Sequence, residues 1–323
     1  MSNILVTGGA GFIGSHLCDR LLTLGHKVIC LDNLNPYYSP VRKIKNIEPN
    51  FKNKNFTFIN LDIVQKDQLE EIFQNYKIGT IIHIAARAGV RPSIEKPLWY
   101  EKTNILGTVN LLELAKQYQI KNFIFASSSS VYGQNKKIPF SETDNVDYPI
   151  SPYATSKKAC ELYCYTYSYL YNLNVVCLRL FTVYGPRGRS DMAPYLFAQW
   201  IDQEKPIKRF GDGTTKRDYT YIDDIIDGIM ACLDKNFKFE IINLGNSKPI
   251  ELNYFISIIE KELGKKAKIK ELPSQLGDVP LTYADISKAK KLLGWEPKVS
   301  IEEGIKRFIE WYKREVKGKT KNL

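Results

Sequence analysis

A glycine-rich turn between a short apolar run and an amphipathic segment restricts this chain more than any other feature. Ile4-Leu5-Val6 leads into Gly8-Gly9-Ala10-Gly11-Phe12-Ile13-Gly14, and a helical pattern follows near 12 to 24. Glycines at 8, 11 and 14 let the backbone bend, approach a pyrophosphate and pack closely, while the helix N-terminus supplies free N–H groups and a favourable dipole. The pattern gains weight from its context. Asp32 closes the next apolar run 18 residues beyond Gly14, close to the roughly 20 expected for a ribose-binding acid. A carboxylate there accepts from ribose hydroxyls and repels a 2′-phosphate, which favours NAD over NADP. Arg42 and Lys43 lie downstream and keep a phosphate-binding alternative open.

The first 180 residues repeat this strand–helix rhythm. Strands are expected near 3 to 7, 27 to 31, 56 to 60, 80 to 84, 122 to 127 and 175 to 180. Crossover helices are expected near 12 to 24, 65 to 75, 102 to 118 and 152 to 171. Such alternation predicts an α/β fold, a doubly wound parallel Rossmann sheet. After Arg179 turn-rich stretches and helical patterns near 222 to 233, 251 to 263, 285 to 293 and 301 to 316 predict a smaller C-terminal substrate-binding lobe. The expected division is 1–181 for the dinucleotide domain, also receiving about 217–245, and 182–323 mainly for the second lobe, with an interleaved boundary.

Composition narrows the class. No apolar run approaches the roughly 18 residues of a membrane span, and the strand begins too close to Met1 for a cleavable leader, so a cytoplasmic protein is expected. Six cysteines stand singly in apolar stretches without zinc-ligand spacing, and only three histidines exist. No metal site and no His-based triad is expected. The net charge of +11 comes from scattered lysines. It reads as a solvated surface that attracts anionic substrates, not as a nucleic-acid interface.

Tyr153-Ala154-Thr155-Ser156-Lys157 opens a predicted helix, where residues four apart share a face. An ammonium at Lys157 beside Tyr153 would favour a phenolate that is otherwise a poor base near neutrality. Tyr132 to Lys136 has the same spacing but crosses Gly133 and Asn135, a turn. Ser127 to Ser130 end the fifth strand at the carboxyl edge, where doubly wound sheets bind ligands. These hydroxyls suit contacts to a substrate hydroxyl and a polar sugar group. Asp62-Ile63 follow the third strand and fit either an adenine clasp or a helix cap.

Together, the Gly8 to Gly14 loop, His83-Ile84-Ala85-Ala86, Ser128, Tyr153 with Lys157, and Arg217 to Asp224 resemble the extended short-chain dehydrogenase/reductase family of nucleotide-sugar enzymes. The resemblance runs from residue 3 to about 315. It implies bound NAD, Tyr153 as base, Lys157 as tyrosine-tuning and ribose-binding group, and Ser128 as hydroxyl partner. It further implies cofactor contacts from Gly8, Gly11, Phe12, Ile13, Gly14, Asp32, Asn33, Asp62, Ile63, Ile84, Ala85, Ala86, Phe181 and Val183.

Within that family, 4,6-dehydratases carry an Asp-Glu pair after the catalytic hydroxyl, and UDP-glucuronate decarboxylases carry a Glu at the second place. This chain has Ser129 and Ser130 there. Dehydration needs an acid and a base, so epimerisation is the expected net reaction. The stretches 182–194 and 275–285 are similar to those of UDP-glucuronate 4-epimerases, with Ser190 in place of a usual Pro. The resemblance implies Arg217 at the diphosphate, Asp278 at the uridine ribose, and Ser129, Ser130, Thr182, Arg189 and Met192 at the sugar end. A 4-keto uronate is a β-keto acid, and an arginine with hydroxyls and no acid suits holding its carboxylate. Arg87 and Arg91 are unassigned candidates for the same anion. A 4-epimerase of neutral or N-acetylated UDP-hexoses and a non-catalytic NAD-sensing module are the alternatives. Aromatic residues around the helices near 102 to 118 and 152 to 171 suggest a homodimer.

Overall fold

The computed structural model describes residues 3–273 and 281–317. Six short apolar runs form β1 (Asn3–Thr7), β2 (Lys27–Leu31), β3 (Phe56–Ile59), β4 (Ile78–His83), β5 (Asn122–Ser128) and β6 (Asn174–Leu180). Between them lie α1 (Phe12–Thr23), α2 (Pro40–Ile47), α3 (Lys66–Asn75), α4 (Val90–Glu95), α5 (Pro97–Tyr100), α6 (Gly107–Gln117) and α7 (Pro152–Tyr171). The second half adds β7 (Thr182–Tyr184), α8 (Ala193–Asp202), β8 (Ile207–Phe210), β9 (Lys216–Tyr221), α9 (Ile222–Met230) and β10 (Phe239–Leu244). It ends with β11 (Pro249–Glu251), α10 (Leu252–Leu263), β12 (Ile269–Leu272), α11 (Ser287–Leu293) and α12 (Ile301–Lys317).

The main sheet has seven parallel strands in the order β10-β6-β5-β4-β1-β2-β3, a doubly wound Rossmann arrangement. Successive side chains of a strand point to opposite faces, and both faces are covered. Ile4, Val6, Ile124 and Val176 share one buried cluster with residues of α1, α9, α10 and α12. Leu5, Ile81, Phe123 and Val175 pack with α3, α6 and α7. The chain order reverses between β1 and β4, which opens a crevice at the carboxyl edge.

Of the stretch 217–245, β10 pairs with β6, while β9 pairs with β7 and β11 in a separate three-stranded sheet. Asp218 on β9 is fully buried and accepts from the N–H groups of Asn246 (2.6 Å), Ser247 (3.0 Å) and Ala284 (3.0 Å). Asp224 likewise accepts from Lys298 and Val299. These acids pin the chain just after β10 and the stretches that precede α11 and α12.

Helix α7 is defined at both ends. Ser151 caps it by accepting from Ala154 N–H at 3.2 Å, Pro152 sets its first turn, and Asn172 ends it in the left-handed conformation. Farther along, Glu161 binds Arg179 of β6 through two bonds of 2.9 Å and accepts from Ser127 of β5 at 2.6 Å. Both charged side chains are 1% exposed. Removing one partner strands the other charge in the interior, so Glu161→Ala should lower unfolding free energy by about 3–5 kcal/mol. Denaturant melts measure it; a loss below ~1 kcal/mol would contradict the anchoring role.

Candidate active site

One large cleft lies over the carboxyl edge of β1, β2, β4, β5 and β6. Its wall begins with the glycine turn. A Cβ on Gly14 would fall 2.2 Å from the Gly8 carbonyl oxygen, and one on Gly8 would fall 2.8 Å from the Ala85 backbone. Gly8 also has φ +68°, which favours glycine. Helix α1 follows Gly11 without a side-chain cap, so its first-turn N–H groups, including those of Phe12, Ile13 and Gly14, remain for an anion. Asp32 ends β2 and is 5% exposed. Asn33 donates to Asp62 at 2.8 Å, and Asp62 also accepts from Val64 N–H, serving its own loop as well as the cleft. Ile63, Ile84, Ala85, Ala86, Phe181 and Val183 complete the lining. A pyrophosphate-sized cradle at a helix N-terminus with an acid at the next strand end fits a dinucleotide.

Ser128, Ser129 and Ser130, with Tyr153, Lys157, Thr182, Arg189 and Met192, line the same cleft. The Ser128 hydroxyl accepts from Ser130 N–H at 3.1 Å and starts a short turn that carries the serines past the strand end. Burial pushes the Tyr153 phenol above its ordinary value, while the Ser128 hydroxyl and the Arg189 guanidinium act in the opposite sense. The Tyr100 ring packs edge-on against Tyr153 at 6.1 Å. Lys157 is anchored on β5: its Nζ donates to the Ala126 carbonyl at 2.6 Å and lies 4.7 Å from the Phe125 ring centre. Burial lowers it to about 8.

Arg189 is engaged by its own loop. Its Nε and Nη2 bind Asp191 at 3.0 and 2.5 Å, and its guanidinium lies 5.2 Å over the Tyr37 ring. Arg87 also lines the cleft, 4.5 Å over Trp99. Arg91 stacks on Phe210 at 4.8 Å, and Arg217 donates to the Lys216 carbonyl; neither belongs to the cleft wall among the described residues. Asp278 lies outside the described residues.

Sequence reasoning missed several contributors. Asn104, 1% exposed, accepts from Arg87 N–H and donates to the Arg87 carbonyl and to Ser156, so it fastens the loop after β4 to α7. It sits in a π-helical turn, Glu101–Leu106, a feature often found at functional sites. An Asn set just before Ile105-Leu106 inside an expected helix was the available signal. His83 binds Thr7 at 2.7 Å and Thr108 at 2.9 Å and is pushed by burial down to about 3, so it is a neutral brace.

A Rossmann cleft lined by a serine, a tyrosine and a lysine defines a dinucleotide-dependent oxidoreductase-like enzyme. Comparison with known proteins makes this particular: the family model described as GDP-mannose 4,6 dehydratase matches residues 5–308. The chain belongs to that family. It is 51% identical over 318 residues to the UDP-glucuronate 4-epimerase of Thermodesulfobacterium geofontis, covering 98% of each chain. The UDP-glucuronic acid 4-epimerase of Bacillus cereus, solved with UDP-glucuronic acid and NAD, superposes with a TM-score of 0.91 at 40% identity, covering 97% of this chain and 99% of that one. The UDP-glucose 4-epimerase of Thermotoga maritima, solved with UDP-glucose, gives 0.89 at 35% identity, covering 97% and 99%.

The buried ammonium has a consequence for stability. Its native value of about 8 lies below the ordinary 10.5, so between them the unfolded chain binds more protons. Unfolding free energy therefore rises with pH across that window, and the full cost of burying the charge is felt below it. In dinucleotide-free protein, Lys157→Met should flatten this rise; an unchanged slope in pH-dependent denaturant melts would contradict the assignment.

Proposed function

We propose that this chain is an NAD-dependent UDP-sugar 4-epimerase, an isomerase, whose substrate pair is UDP-glucuronate and UDP-galacturonate. The observation that carries the reading is the hydroxyl floor beside Tyr153: Ser129 and Ser130 line the cleft where a carboxylic acid would serve dehydration or decarboxylation. Two relatives named for UDP-glucuronate epimerisation support the substrate.

Bound NAD supplies reversible hydride chemistry at the sugar C4, consuming no net cofactor. Tyr153 takes the proton of the C4 hydroxyl as the C4 hydrogen leaves with its electron pair, giving a 4-keto sugar. Once the keto sugar has turned its other face, Tyr153 would give the proton back to the C4 oxygen. Ser128 orients the hydroxyl, and Lys157, 3% exposed, adds positive charge at the cofactor end of the cleft. Gly8, Gly11, Phe12, Ile13, Gly14 and Asp32 hold the dinucleotide, with Asp32 on the adenosine ribose. Ser130, Thr182 and Arg189 face the sugar carboxylate, and Arg217 and Asp278 serve the nucleotide end.

A neutral-sugar reading has one observation in its favour: Asp191 already occupies two donors of Arg189. The protein is proposed to be cytoplasmic; among the described residues no helix is long and apolar enough to cross a membrane. We also propose a homodimer through the outer face of α7, where Leu162, Tyr163, Tyr169 and Leu170 are exposed. Sedimentation at micromolar concentration should give twice the chain mass, and a monomer would oppose it.

Purified protein should convert UDP-glucuronate to UDP-galacturonate, read by chromatography against a panel of neutral and N-acetylated UDP-hexoses. Tyr153→Phe should cut turnover by roughly 10² to 10⁴-fold. Arg189→Leu should harm the acidic substrate far more than a neutral one. Conversion of neutral sugars alone, or equal losses for both classes, would reject the uronate.

A further inference from the structure

Arg42 and Lys43 follow Asp32 closely in sequence, and α2 sends them in different directions. The Arg42 guanidinium is not part of the cleft wall and lies 4.4 Å over the Tyr195 ring and 6.0 Å from the Trp311 ring centre. Lys43 turns back. Its Nζ is 3.4 Å from Asp32 Oδ1 and 4.9 Å from the Tyr38 ring centre, and the side chains of Lys43 and Asp32 are 8% and 5% exposed. Both line the dinucleotide cleft. Asp32 Oδ1 also accepts from Leu34 N–H at 2.8 Å, so protein contacts gather on one carboxylate oxygen.

A Rossmann cleft that takes a 2′-phosphorylated dinucleotide needs two things: no acid against the phosphate, and a cation within reach of it. Exchanging one cofactor for the other therefore ordinarily means removing a charge and adding another. Here the cation is already seated beside the acid in a largely buried position, where its charge is neutralised by Asp32 instead of by a ligand.

We propose that Lys43 is a latent 2′-phosphate ligand, held closed by its ion pair with Asp32. The inference rests on the reading that the adenosine ribose lies on Asp32. With the carboxylate present, the pair is closed and a phosphate meets a like charge. With a small neutral residue at position 32, the Lys43 ammonium is released to a phosphate group that would occupy the vacated volume. A charge-assisted contact of that kind corresponds to roughly tenfold to hundredfold in binding.

The test uses the full chain. Wild type, Asp32→Ser, Asp32→Asn and the double variant Asp32→Ser with Lys43→Met are each incubated with an excess of equimolar NAD and NADP. After desalting, the retained dinucleotides are released and quantified by chromatography. Wild type should retain NAD with little NADP. In Asp32→Ser the NADP-to-NAD ratio should rise by at least about tenfold, Asp32→Asn should move the same way, and the double variant should lose the gain. Retention of NAD alone by both single variants, retention of neither dinucleotide by either, or a gain that survives the loss of Lys43 would overturn the inference. Wild type that holds no NAD would overturn the cofactor reading as well.

Discussion

Glu161 and Arg179 sit beneath the cleft floor, each 1% exposed, and join through two bonds of 2.9 Å while Ser127 donates to the same carboxylate. Three elements meet there: α7 with Tyr153 and Lys157, β5 with Ser128 at its end, and β6, which leads into Phe181 and Thr182. An ion pair this deep is costly to desolvate, and it is retained only with good geometry and satisfied partners. Among the described residues Arg179 Nη1 has no hydrogen-bond partner, but the guanidinium lies 4.8 Å over the Tyr132 ring, which softens that deficit. The return is registry: a shift of α7 along the sheet would break charge pairing in the interior.

Burial then sets the chemical problem. The same enclosure that holds Tyr153 against Tyr100 makes its phenolate harder to form, and it makes the Lys157 ammonium easier to lose. Both shifts run against the roles proposed for Tyr153 and Lys157. Ser128 and Arg189 already act to lower the phenol. A positively charged nicotinamide in the cleft would act in the same direction, so base strength would be coupled to the oxidised cofactor. That coupling suits a cycle in which the proton must leave and return in step with hydride.

Much of this was legible in the chain. Parallel strands buried on both faces read as unbroken apolar runs, and β1, β2, β5 and β6 fall where those runs stand. The glycine turn, Asp32, the serines, Tyr153 and Lys157 are local signals at strand ends and helix starts, and the fold gathers them in one cleft. The short strands β7 and β11 carry too few residues to show a period. Long-range pairings had no local signature either: Glu161 with Ser127, Asn104 with Ser156, and Lys43 turned back to Asp32 are decided by packing. Spacing suggested that Lys157 faces Tyr153, yet a carbonyl on the neighbouring strand competes for its ammonium. A strand-position Arg and a helix-interior Glu within apolar runs were the visible hint of the pair below.

Epimerisation at C4 by way of NAD would take one hydrogen from the sugar C4 and return it to the same carbon without exchange with solvent. UDP-glucuronate carrying deuterium at C4, turned over in ordinary water and followed by proton NMR and mass spectrometry, tests it directly. The UDP-galacturonate formed should keep its deuterium at C4. Deuterium lost to water, or a product epimerised at another carbon, would contradict it.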